Sequence, residues 1–151
     1  MTGALQGREK RPRITEKQQG AVVVMAASTS TSLRPRSSAP RLARNLVRDL
    51  CSRSRLPEYL VDNAVLVTSE LVTRTVMHAR KAVDVVVELD EDHVTVRIHD
   101  QTVMPTLLGG DWVSGPSRAI IERLSTSWGY HCSDTGRDIW ASVGTDSYRK
   151  N

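Results

Sequence analysis

Glu70-Leu71-Val72-Thr73-Arg74-Thr75-Val76-Met77-His78-Ala79 is the stretch on which the fold turns. Leu71, Val72, Thr75, Val76 and Ala79 recur at three- and four-residue intervals, and the same stripe runs back through Thr68, Val65, Ala64 and Val61. That period is helical. Pro57 followed by Glu58 suits the helix start, because proline lacks only an amide that the first turn leaves unbonded anyway. One long amphipathic helix over 57–79 is therefore predicted. Glu70, Arg74 and His78 stand at i, i+4 and i+8. At about 100° per residue they drift only about 80° around the axis, so they share one polar face. Such a row is either a solvated surface or the wall of a cleft.

Upstream, residues 21–33 are rich in Val, Ser and Thr and supply a first strand ending near Pro35. Ser38 suits an N-cap with Pro40 in the first turn, and Ala39, Ala43, Leu46, Val47, Leu50 and Cys51 follow at helical spacing. Downstream, Val83, Val85, Val87 and Leu89 alternate with Asp84 and Glu88, and Asp90-Glu91-Asp92 turns the chain. Val94, Val96 and Ile98 form one face of the partner strand. Asp100 shares their parity, so it projects from the strand end toward the covered face, where a carboxylate needs a ligand or an internal donor.

Residues 101–116 contain Pro105, Gly109, Gly110, Gly115 and Pro116 with little periodicity, as a long mobile loop would. Ala119, Ile120, Ile121, Leu124 and Trp128 mark a third helix. A last hairpin, 129–133 and 138–143, turns around Thr135-Gly136. The order strand, two helices, hairpin, loop, helix, hairpin predicts an α+β two-layer sandwich. Its mostly antiparallel, mixed sheet is covered on one face by three helices.

The chain has 151 residues, enough for one apolar core and too few for two. A single domain over 20–144 is expected, between a disordered basic tail (1–19) and a short C-terminal tail (145–151). No apolar run approaches the roughly 18 residues of a membrane span. Cys51 and Cys132 are too few for a disulfide framework and lack CxxC spacing, so reduced thiols and a cytoplasmic location are expected. Net charge is +4, with +3 in residues 1–20 and +6 in 34–55, so the remainder carries −5. The basic stretch suits an acidic partner, nucleic acid or a solvated helix face. No aromatic residue is interleaved with its arginines to stack on bases, which weighs against nucleic acid. His131 and Cys132 with His99 or Cys51 follow no metal-ligand spacing, and no nucleophile motif supports a Ser-His-Asp hydrolase.

With these elements in order, Glu70-Leu71 and His78 on the long helix, Asp100 at the strand end, and Leu124-Ser125 with Trp128-Gly129 before a hairpin containing Gly136 resemble the GHKL, or Bergerat-fold, ATP-binding superfamily. Within it the chain is most similar to the small anti-sigma-factor serine kinases of actinobacteria and bacilli. The resemblance implies Glu70 as general base and Asp100 as the acceptor of the adenine amino group. It also places Arg74 where such proteins carry a magnesium-binding asparagine. A guanidinium has no acceptor atom and a permanent positive charge, so Arg74 cannot ligate magnesium.

The family's phosphate-binding glycine pair corresponds to Gly115-Pro116-Ser117, followed by Arg118. One glycine remains, and Pro116 removes an amide donor. The final G-x-T or G-K-T corresponds to Gly136-Arg137-Asp138, where Asp138 brings an added carboxylate near an anionic ligand. An ion pair of Arg74 with Asp100 or Asp138 is expected in place of nucleotide and metal. The other reading has Arg74 and Arg118 gripping phosphates, with ATP bound and magnesium dispensed with. His78 either orients helix and lid or is a hydrogen-bonded structural histidine.

The resemblance thus implies a regulatory binding protein of partner-switching transcription control. Its partner would be a sigma factor or an anti-sigma antagonist, with homodimerisation implied by resemblance only. The alternatives are a working ATP-dependent serine kinase, and a nucleic-acid binder using residues 34–55.

Overall fold

The computed structural model describes residues 27–101 and 115–145. The two tails, residues 21–26 of the expected first strand and most of the 101–116 loop lie outside them. The elements run β1 (Ala27–Leu33), α1 (Ala39–Cys51), α2 (Glu58–His78), β2 (Val83–Leu89), β3 (His93–Asp100), α3 (Gly115–Leu124), β4 (Ser127–Ser133) and β5 (Gly136–Gly144). The strands form one sheet in the order β1-β2-β3-β5-β4. An α+β sandwich results, as expected.

Every neighbouring pair among the described strands is antiparallel, so the sheet is not mixed. The connections explain this. Helices α1 and α2 run up and back, returning the chain to the end of the sheet where β1 finished, so β2 must run antiparallel to it. Between β3 and β4 the chain crosses the helix layer through α3, making β4 parallel to β3, but β5 slots between them.

Alternation decides the buried face. Val83, Val85, Val87, Val94, Val96, Ile98, Ile139, Ala141 and Val143 point into the core. They meet Ala39, Ala43 and Val47 of α1 and Leu60, Ala64, Val67, Leu71 and Val72 of α2, all nearly inaccessible to solvent. Thr68 and Thr75 are also buried, and their hydroxyls donate to the carbonyls of Ala64 and Leu71 at 2.7 and 2.8 Å. Each is thereby satisfied within its own helix.

Two boundaries differ from the periodicity. Ser38 occupies the N-cap position of α1 but has helical dihedrals and makes no side-chain cap bond. Trp128 lies in β4, not in α3. Its spacing of four from Leu124 imitates a helical stripe, yet the last helical bond is Ser125 N–H to Ile121 O. Thr126 N–H already donates to Ser142 O in the sheet.

Candidate functional site

Asp100 closes β3 with the parity of Val94, Val96 and Ile98, and it is 1% exposed, as that parity requires. Its counter-charge comes from the neighbouring strand. Arg137 stands opposite it in the β3–β5 register and shares the inward parity of Ile139, Ala141 and Val143. Arg137 Nη2 donates to Asp100 Oδ2 in an ion pair whose side chains are each 1% exposed. The preceding residue makes this approach possible. Gly136 has φ +139°, and a Cβ there would run into the carbonyl oxygen of Asp100. Only glycine combines that dihedral with that contact.

Cys132 on β4 faces Arg137 across the ladder. Burial pushes its thiol up, while the guanidinium of Arg137 pulls the other way and Asp138 adds to the rise.

The α2 row meets the start of α3. Glu70 is half-buried and accepts a hydrogen bond from Ser117 Oγ at 3.3 Å. Arg74, one turn on, is half-buried with its Nε enclosed by protein. His78, at the C-terminus of α2, is exposed. Gly115 opens α3 at φ +65°, and Pro116 contributes no amide.

Arg118 is occupied outside that corner. Its Nε donates to Glu122 Oε1 at 2.8 Å, and its guanidinium carbon lies 5.3 Å from the centre of the Trp128 ring. Trp128 in turn stacks on Tyr130 at 6.2 Å. Asp138 looks the opposite way from Arg137, onto the sheet face away from α1, α2 and α3, where its Oδ1 is 2.8 Å from His99 Nδ1.

The structure thus joins Glu70 to Ser117 and pairs Asp100 with Arg137 and Asp138 with His99, where an ion pair of Arg74 with Asp100 or Asp138 was expected. Arg118 and Asp138 are turned to other partners, Asp138 across the sheet from Asp100. Sequence reasoning missed Arg137 because it assigned the residue to the hairpin turn. Its parity with Ile139 and Val143 was the available signal. As a set, these residues do not fit a magnesium-bridged nucleotide held by the usual contacts: the Asp100 carboxylate is taken by Arg137, Arg74 offers no acceptor and Pro116 no donor.

The profile of the histidine kinase-like ATPase domain matches residues 32–142. Among solved structures, the RsbU and RsbW domains of Rv1364c from Mycobacterium tuberculosis share the fold at TM-score 0.62 and 18% identity, covering 78% of this chain and 32% of that one. No curated protein matches the chain. Among the described residues, no helix is long and apolar enough to cross a membrane.

Proposed function

Because the chain belongs to the histidine kinase-like ATPase domain family, we propose that it is a regulatory binding protein of the anti-sigma-factor type, holding a protein partner with its Mg-ATP site disabled. The observation that carries this reading is the buried ion pair of Arg137 with Asp100. In the resemblance, Asp100 is the residue that would receive the adenine amino group. A carboxylate already bonded to a buried guanidinium offers adenine nothing unless the pair is broken, and breaking such a pair costs about 3–5 kcal/mol. Arg74, which has no acceptor atom to offer in the magnesium position, acts in the same direction. The likeness to an RsbW domain supports a protein partner, a sigma factor or an anti-sigma antagonist.

The test is thermal denaturation with and without Mg-ATP. A ligand at a hundredfold its Kd adds about 2.7 kcal/mol to the native state, which would raise Tm by several degrees. The wild-type chain is expected to show no rise, whereas Arg74→Asn combined with Arg137→Thr gains one. A saturable rise in the wild type would overturn the proposal.

One observation favours a serine kinase as the second reading. Glu70 is retained, half-buried and bonded to a hydroxyl, as a general base would be. Transfer of the γ-phosphoryl group to a protein substrate, abolished by Glu70→Gln, would establish it.

A further inference from the structure

The basic stretch that stands out in the sequence folds onto the outer side of the helix layer, and the site above uses none of it. Arg34, Arg36, Arg41 and Arg48 are exposed, and Arg44 is half-buried. None of the four exposed arginines meets a described carboxylate in an ion pair. A solvated surface ordinarily intersperses both signs. Helix α1 instead sets three arginines against Asp49 alone.

Helical geometry sorts these charges. Ala39, Ala43, Val47 and Cys51 are buried, so the opposite side of α1 meets water. Arg41, Arg44 and Arg48, at i, i+3 and i+7, share one stripe about 10 Å long. Arg44 shows which way that stripe looks, because its Nη1 donates to Ser69 Oγ on α2 at 2.8 Å. Leu42 and Asp49, also seven residues apart, form the next stripe, on the flank away from α2. The seam between the two helices is therefore lined by arginine and clear of the α1 carboxylate. Leu66 precedes Ser69 by one turn and is 44% exposed. The two helices run antiparallel, so that turn lies beside the one that carries Arg48.

Building on, and resting on, the reading of this chain as a protein-binding regulator, we propose that the α1–α2 seam docks an acidic amphipathic helix of a partner protein. Its carboxylates meet Arg41, Arg44 and Arg48, and its apolar side covers Leu66. Charge complementarity selects this occupant. A guanidinium takes a carboxylate through two parallel hydrogen bonds, and a helix repeats its side chains at the same three- and four-residue interval as the arginine stripe. The same helix can carry leucine beside its carboxylates. Nucleic acid would meet the arginines through phosphates but leave Leu66 uncovered, and no aromatic residue stands among them to stack on a base. A membrane surface takes up a continuous apolar face, where this seam offers one leucine.

The test is fluorescence anisotropy of a labelled synthetic peptide titrated with the full chain at low salt. The peptide is an amphipathic helix with glutamates at three- and four-residue spacing and leucines beside them. Its scrambled sequence, duplex DNA and anionic phospholipid vesicles are titrated in parallel. The ordered peptide is expected to bind, with an affinity that falls as salt rises. Arg41→Glu combined with Arg48→Glu should weaken it roughly tenfold or more, and Leu66→Ser should weaken it several-fold. Lys81→Glu combined with Arg123→Glu makes the same change of net charge away from the seam and should weaken it far less. All five side chains are exposed, so the variants are expected to fold, and circular dichroism checks that they do. Undiminished binding by the Arg41→Glu/Arg48→Glu variant, or equal binding of the scrambled peptide, would overturn the proposal. Preference for duplex DNA or vesicles over the peptide would do so too. Absence of peptide binding with a Tm unmoved by Mg-ATP sinks the seam alone, whereas a Tm raised by Mg-ATP sinks the reading of the nucleotide site.

Discussion

Arg137 on β5 reaches the carboxylate of Asp100 on β3 through protein, and neither side chain sees solvent to more than 1%. A buried pair of this kind is weak evidence for net stability, since desolvating two charges offsets most of their attraction. Removing one partner is another matter, because it strands the other charge.

Arg137→Met and Asp100→Leu are each expected to destabilise the fold by about 3–5 kcal/mol, while the double variant recovers most of that loss. Urea denaturation of the four proteins measures it. Additive losses would mean that the two residues are not energetically coupled.

Gly136→Ala is expected to be costly out of proportion to its size. The new methyl group meets the Asp100 carbonyl, and φ +139° is foreign to an L residue. Strain of this sort is worth on the order of 1–3 kcal/mol, with the contact added to it. A lowered midpoint with an unchanged m-value in denaturant is the expected result; wild-type stability would contradict the close approach.

Much of the architecture was legible because its elements carry clean periods. The α2 stripe and the alternation of β2 and β3 each bury one face and expose the other, so pattern alone placed them. The site was less legible. Arg137 lies between Gly136 and Asp138, residues that signal a turn, and the strand begins at Gly136, earlier than the turn chemistry suggested. Asp138 was assigned to the nucleotide corner through its motif position, although its parity sends it to the other face.

Ser117→Ala removes a half-buried hydrogen bond to Glu70, and a loss of roughly 0.5–1.5 kcal/mol is expected. Glu70→Gln should cost no more, since the amide oxygen still accepts from the hydroxyl. A larger effect of Glu70→Gln than of Ser117→Ala would show that the carboxylate has further obligations in the corner.

Both thiols are raised by burial, Cys51 by burial alone and Cys132 with opposition from Arg137. A thiol that resists ionising in the native state but not in the unfolded chain favours folding below the unfolded pKa, near 8.5. That contribution is lost as pH rises through the native value. Stability measured from pH 7 to 10 should therefore fall more in the wild type than in Cys51→Ala, each referred to its own value at pH 7. Alkylation of native Cys51, 5% exposed, should be far slower than of an unfolded control. Equal pH slopes for the two proteins would refute the linkage.

Arg137 and Asp138 are chain neighbours that look in opposite directions, and this ties the register of the last hairpin to charge as well as to apolar burial. A slip of one residue along β3 would turn Asp138 inward beside Asp100 and carry Arg137 out to water. Two carboxylates would then share a dry cavity with their cation lost. A slipped register would also turn Ile139, Ala141 and Val143 to water, so one adjacent pair of opposite charges reinforces the register that the apolar residues select.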